Sequence, residues 1–142
     1  MRTICAAAVV ATLLLTGCIG QTESEPTPAT FGLLGTLDLN KPMPLADEGQ
    51  SCSGSGGYSD IAPGAQVKVS DASGAVVAIG ELGNGFARKT YEQLPPNVCQ
   101  FAIVMDDIPD GGDGIYGVEV ANRGVINFKK EGSSATVQMS LG

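Results

Sequence analysis

The chain has 142 residues, enough for one domain, with 43% apolar residues, 20 glycines, 8 prolines and no histidine. Eight basic residues against fifteen acidic ones leave a formal net charge of −7. That balance argues against a nucleic-acid-binding surface and against electrostatic adhesion to anionic lipid heads, both of which need clustered positive charge. The missing histidine excludes histidine-based triads and histidine-ligated metal sites, and the apolar fraction argues against global disorder.

Residues 1–17 read MRTICAAAVVATLLLTG. Arg2 supplies a positive start, and Ile4 to Leu15 is an apolar stretch of the length found in secretion signals. It is too short to span a bilayer comfortably, which takes ~20 apolar residues in a helix. Leu15-Thr16-Gly17-Cys18 follows directly. This tetrapeptide resembles the bacterial lipobox, in which an aliphatic residue, a small one and a glycine or alanine precede a cysteine. The resemblance implies that the Cys18 thiol takes a diacylglyceryl group and that cleavage makes Cys18 the first residue. Two or more acyl chains would hold the protein firmly to the outer face of a bacterial membrane, at the cell surface or in the periplasm. Each buried CH₂ contributes ~0.8 kcal/mol, and one chain alone binds only marginally. Gln21 to Thr30, QTESEPTPAT, is polar and proline-containing. With Cys18 it reads as a flexible tether over 18–30, lifting the domain by roughly 30 Å if nearly extended.

Cys5 lies in the signal, and Cys18 is assigned to lipid by the resemblance. Cys52 and Cys99 remain as a single pair in an exported chain, where disulfides persist. Bonding them would stabilise the fold by ~4 kcal/mol in the chain-entropy model. Two cysteines so far apart, with no C-x-x-C, fit neither a usual zinc site nor a redox motif.

From Phe31 to the end of the chain, in 31–142, period-2 alternation dominates. Phe31, Leu33, Leu37 and Leu39 share one face of a first strand. Val67 and Val69 mark a second, and Asp71-Ala72-Ser73-Gly74 is a turn. Ala75 to Leu82 is an apolar run broken only by Glu81, which predicts a central strand buried on both faces. Gly83-Asn84-Gly85 reads as another turn. Cys99, Phe101, Ile103 and Met105 form a core face, which Asp107 to Gly112 is expected to break. Tyr116, Val118 and Val120, then Ile126 and Phe128, then Ala135, Val137, Met139 and Leu141 complete the pattern. The last of these predicts a terminal strand integral to a sheet. No helix is expected. Seven or eight strands predict an all-β fold, a Greek-key β-sandwich with one disulfide.

Val67-Lys68-Val69-Ser70-Asp71-Ala72-Ser73-Gly74, followed by Phe101, Ile108-Pro109 and Tyr116-Gly117-Val118-Glu119-Val120, resembles the transthyretin-like or carboxypeptidase-regulatory-like sandwiches. The match runs from about Gln66 to Val120. It implies a sandwich fold and a binding or spacing role without chemistry. The Cys52–Cys99 pair and the glycine-rich stretch before Ile61 are not part of that pattern. Cys52 to Ile61 is also similar to small secreted proteins of actinobacteria, a similarity that implies no activity.

Three features are candidate sites. Ser53 to Asp60 is glycine-rich, and Gly54, Gly56, Gly57, Tyr58 and Asp60 are its candidate binding residues. A phosphate-cradling loop would also need a lysine and a following helix, and neither is evident. Asp106, Asp107, Asp110 and Asp113 could offer oxygens to Ca²⁺, although their spacing is not that of an EF-hand and Asp and Gly also suit plain turns. No catalytic residue is expected: the serines lack a G-x-S-x-G elbow, and a small sandwich has little room for a deep cleft. Arg88, Lys89, Arg123, Lys129 and Lys130 read as scattered solvated charge rather than a patch. The expectation is therefore a non-enzymatic, lipid-anchored binding module with an unknown envelope protein or polymer as partner. A phage- or prophage-encoded superinfection-exclusion lipoprotein and a calcium-stabilised ligand-binding domain are the alternatives.

Overall fold

A computed structural model of the chain describes residues 27–40, 44–45, 47–89 and 96–142. The signal segment, Cys18 and the tether up to residue 26 lie outside the described residues. The domain is all-β: two sheets face each other, and the only helical turn among the described residues is a 3-10 turn at Gly56–Tyr58.

The strands are β1 (Thr30–Leu39), β2 (Ser51–Cys52), β3 (Gln66–Ser70), β4 (Val76–Glu81), β5 (Gly85–Arg88), β6 (Val98–Pro109), β7 (Ile115–Val120), β8 (Val125–Lys129) and β9 (Ser134–Leu141). One sheet has the order β2-β5-β6-β1-β9 and the other β4-β3-β7-β8. β3 with β4, β5 with β6 and β7 with β8 are antiparallel neighbours, and the chain crosses between sheets after each pair. The first and last strands pair in parallel, Leu33 beside Ala135 and Leu37 beside Met139. β1 is thus inserted between β6 and β9, so the first and last strands of the domain are neighbours.

The period of two carries its physical meaning here. Phe31, Leu33, Leu37 and Leu39 of β1, Phe101 and Ile103 of β6, and Val67, Val69, Val118 and Val120 of the opposite sheet are all buried in one core. The ring of Phe31 lies 4.6 Å from that of Tyr116, and the ring of Phe128 stacks 5.9 Å from Tyr116. No polar or charged side chain is buried among the described residues, so hydrophobic burial and sheet hydrogen bonds hold the domain together. The Cys52–Cys99 disulfide ties β2 to β6 (Cα–Cα 5.9 Å) and lies inside the core.

Four sequence expectations are corrected. The strand count is nine rather than seven or eight, because the two-residue β2 and the short β5 carry too little pattern to read. Gly85 is not turn residue but the first residue of β5, buried against the disulfide. A Cβ there would lie 2.5 Å from the Cys52 carbonyl oxygen and 2.8 Å from Cys99 Sγ. The apolar run at 75–82 is not central. β4 is an edge strand, with Val76 53% and Ile79 64% exposed. Its inward positions, Ala78 and Gly80, are small because the inner face packs closely: a Cβ on Gly80 would stand 3.0 Å from Met105 Cγ. Val76 and Ile79 point outward, where periodicity cannot tell them from core, while Leu82 just beyond the strand is buried.

Nor does Asp107 end its strand. β6 continues to Pro109 through a bulge that sets three residue steps (Met105 to Ile108) against two in β1 (Leu33 to Phe31). Asp107 takes φ +56° there, a left-handed conformation that Asp tolerates better than most residues.

Candidate functional site: two pinned loops and an open sheet face

Strand β7 runs between the two loop regions singled out by sequence. Beyond its C-terminal end, Ala121 and Asn122 both have positive φ (49° and 58°), and the Arg123 N–H donates to the Val120 carbonyl (3.0 Å). This tight turn carries the chain into β8 and projects Arg123 toward the glycine-rich loop. Lys68 Nζ holds the turn by donating to Asn122 Oδ1 (2.6 Å) and pairing with Glu119 (3.4 Å).

Arg123 is the centre of the glycine-rich site. Its guanidinium forks onto the two carboxylate oxygens of Asp60, with Nε to Oδ2 at 2.9 Å, and Nη2 also donates to the Gly57 carbonyl (2.6 Å). The same group sits 5.0 Å above the Tyr58 ring, a cation–π contact. The Arg123 hydrogen bond lowers the Asp60 pKa below the ordinary carboxylate value, and Asp60 in turn raises that of Arg123. Tyr58 is half-buried and packs against the core.

The loop backbone closes on itself. Gly54 N–H donates to the Ile61 carbonyl (2.7 Å), Ile61 N–H to the Tyr58 carbonyl (2.9 Å), and Ser59 N–H to the Gly56 carbonyl (3.2 Å). Only glycine fits at 54, since a Cβ there would overlap the Tyr58 carbonyl oxygen at 1.8 Å. Gly54, Gly56, Gly57, Tyr58 and Asp60 are therefore brought together, but around a protein cation. The donors of Arg123 are directed at Asp60 and Gly57, which makes this a rigid, exposed loop rather than an open anion cradle.

At the other end of β7, Asp110 is likewise committed. Lys130 Nζ lies 2.8 Å from its Oδ2, and Tyr116 Oη donates to its Oδ1 (3.1 Å) while accepting from the Gly111 N–H (2.8 Å). Lys130, Gly112 N–H and Tyr116 together lower the Asp110 pKa. The four aspartates of the acidic segment do not converge. Asp106 and Asp107 sit on the β6 bulge, with Asp106 Oδ1 3.4 Å from where a Cβ on Gly32 would lie. Asp113 is exposed in the turn. No group of three or more His, Cys, Asp or Glu among the described residues is placed to hold a metal ion.

The basic residues read as scattered charge mostly have partners: Lys89 lies 3.6 Å from Glu48, and Lys130 and Arg123 are paired as above. Arg88 belongs to a polar row across the outer face of the five-stranded sheet. Its Nη1 donates to Gln100 Oε1 (2.6 Å), and Gln100 Nε2 donates to Asp38 Oδ1 (2.7 Å). Phe86 (47% exposed), Leu34 (56%) and Val104 (59%) stand on the same face. Between Phe86, Arg88, Gln100, Ala102 and Thr36 lies a shallow groove of about 380 Å³. Sequence reasoning missed this face, because an exposed Leu or Phe on a strand carries the same letter as a buried one. It named Arg123 only as scattered solvated charge and missed its clamp on Asp60, which lies 63 positions away.

No protein-family model, no curated protein and no solved structure matches this chain. No helix among the described residues is long and apolar enough to cross a membrane.

Proposed function

We propose that the chain is a bacterial lipoprotein, held to the outer face of a membrane through acylated Cys18, whose sandwich acts as a non-enzymatic binding module. The observation that carries this reading is the lipobox-like Leu15-Thr16-Gly17-Cys18 placed directly after an apolar signal-like stretch. The division of labour in the domain supports it. Asp60 and Asp110, the best-placed carboxylates of the two loop regions, are engaged by Arg123 and Lys130 and serve the fold. Contact with a partner falls to the exposed surface, where Phe86, Leu34 and Val104 flank the Arg88–Gln100–Asp38 row. Apolar side chains rimmed by polar ones are the composition of a protein- or polymer-binding face.

Proximity labelling from the full-length chain, beside a Cys18→Ser variant, tests the reading. An envelope protein enriched only by the acylated form, and lost when Phe86→Ser is introduced, is the expected result. Equal enrichment by both forms, or turnover of a small substrate by the purified chain, would overturn it.

A further inference from the structure

We propose that two copies of this chain join along β9, antiparallel and about a two-fold axis at Gln138, into one continuous sheet. The inference does not depend on the lipid anchor.

The sandwich has four sheet edges among the described residues: β2, β9, β4 and β8. Exposed edges template pairing with another strand, and natural sheets blunt them with short strands, charges, prolines or bulges. Three edges here are blunted. β2 has two residues. β4 faces a register shift at Val69/Ser70 and ends in Glu81. β8 has five residues and ends in Lys129. β9 has none of these devices: Ser134-Ala135-Thr136-Val137-Gln138-Met139-Ser140-Leu141 holds no charge and no proline, and pairs with β1 without a shift.

The backbone sets which groups are open. Gly32 N–H donates to the Ser133 carbonyl and Asn40 N–H to the Leu141 carbonyl. Odd-numbered residues of this segment therefore turn their peptide groups toward β1, and even-numbered ones toward the edge. Ser134 already exchanges both bonds with Glu131. Thr136, Gln138 and Ser140 remain, three residues facing an edge that no described strand covers.

Three open residues select a partner and a register. An antiparallel copy bonds Gln138 to Gln138 and Thr136 to Ser140, with Val137 beside Met139 between them. Every pair then keeps its face, inward apolar with inward apolar and outward polar with outward polar. A second copy fits better than a charged strand of another protein. Chains of net charge −7 repel one another broadly, and of the edges longer than two residues among the described ones, β9 alone brings no charged residue of its own strand into the seam.

Oxidation of the full chain carrying Gln138→Cys, in whichever fraction of expressing cells holds it, reads the register. Hydrogen-bonded antiparallel partners have Cα atoms about 5.5 Å apart, within disulfide reach. Thr136→Cys lies opposite Ser140 and is displaced from its own copy by about 13 Å along the strands. Asp38→Cys lies three strand spacings from its equivalent and is offset from it by about four residues along the strands, about 20 Å in all. The unsubstituted chain sets the background from its other thiols. The expected result is a disulfide-linked dimer with Gln138→Cys at roughly tenfold the yield of Thr136→Cys and Asp38→Cys. No dimer above background, or equal yields at all three positions, would overturn the proposal.

Discussion

Arg123 takes part in a carboxylate fork, a backbone hydrogen bond and an aromatic contact at once, and it is held on a turn whose two central residues are left-handed. Its partner Asp60 has a folded-state pKa below the ordinary value of 3.8. The unfolded chain therefore binds the proton first as pH falls. The contribution of this pair is complete above about pH 3.8 and is lost as pH drops through the lower folded value. Asp110 and Asp71 are shifted in the same direction. Thermal melts should thus be flat from pH 7 to about 5 and fall steeply below about 4, and Asp60→Asn should shrink that acid-side fall. A second residue-scale outcome concerns Gly85: Gly85→Ala presses a methyl onto the Cys52 carbonyl and the Phe101 ring, each 2.5 Å from the new carbon. Denaturant unfolding should show a loss of ~1–3 kcal/mol, the usual cost of overpacking. Neither effect was legible in the sequence. Arg123 is one cation among several, and Gly85 sits in a Gly-Asn-Gly string that has the chemistry of a turn.

Among elements, legibility followed how far side-chain pattern and backbone role agree. β1, β6, β7 and β9 are long strands with one buried face, and their alternation named the buried residues correctly, from Phe31 and Leu33 through Phe101, Val118 and Val137. β4 failed for a physical reason: the β-branched residues that favour strands do so whether they face core or water, so Val76 and Ile79 read as buried while standing at an edge. At the β6 bulge the Asp-rich sequence signals a turn, while the backbone uses the left-handed tolerance of Asp107 to bend the strand and continue. β9 was expected to be integral, and its place beside β1 gives that expectation an energy. Removing Met139 to Gly142 strips the buried Met139 and its pairing with Leu37. The truncated chain should lose ~2–5 kcal/mol by chemical denaturation, the scale of deleting one large core side chain. A loss under ~0.5 kcal/mol would mean that β9 is dispensable to the core.

For the whole molecule, two sheets share one core and one covalent tie crosses a 47-residue separation. Replacing Cys52 and Cys99 together by alanine should cost about 4 kcal/mol in the chain-entropy model, a large share of the 5–15 kcal/mol that usually holds a domain folded. Adding Ca²⁺ or a chelator should leave the melting temperature unchanged, because Asp110 is already neutralised by Lys130 and its neighbours do not converge. The sandwich and its disulfide were legible from alternation and from cysteine arithmetic. The site was legible only as a glycine-rich string, since the face carrying Phe86 and the clamp on Asp60 depend on contacts between distant segments.

The central claim is that Cys18 anchors this domain to a membrane. Feeding a labelled fatty acid to cells that express the full chain, then separating detergent-phase from aqueous protein, tests it most directly. Label on the full chain and recovery in the detergent phase, with Cys18→Ser unlabelled and aqueous, is the predicted result. An unlabelled, aqueous full chain, or equal labelling of the Cys18→Ser variant, would contradict it.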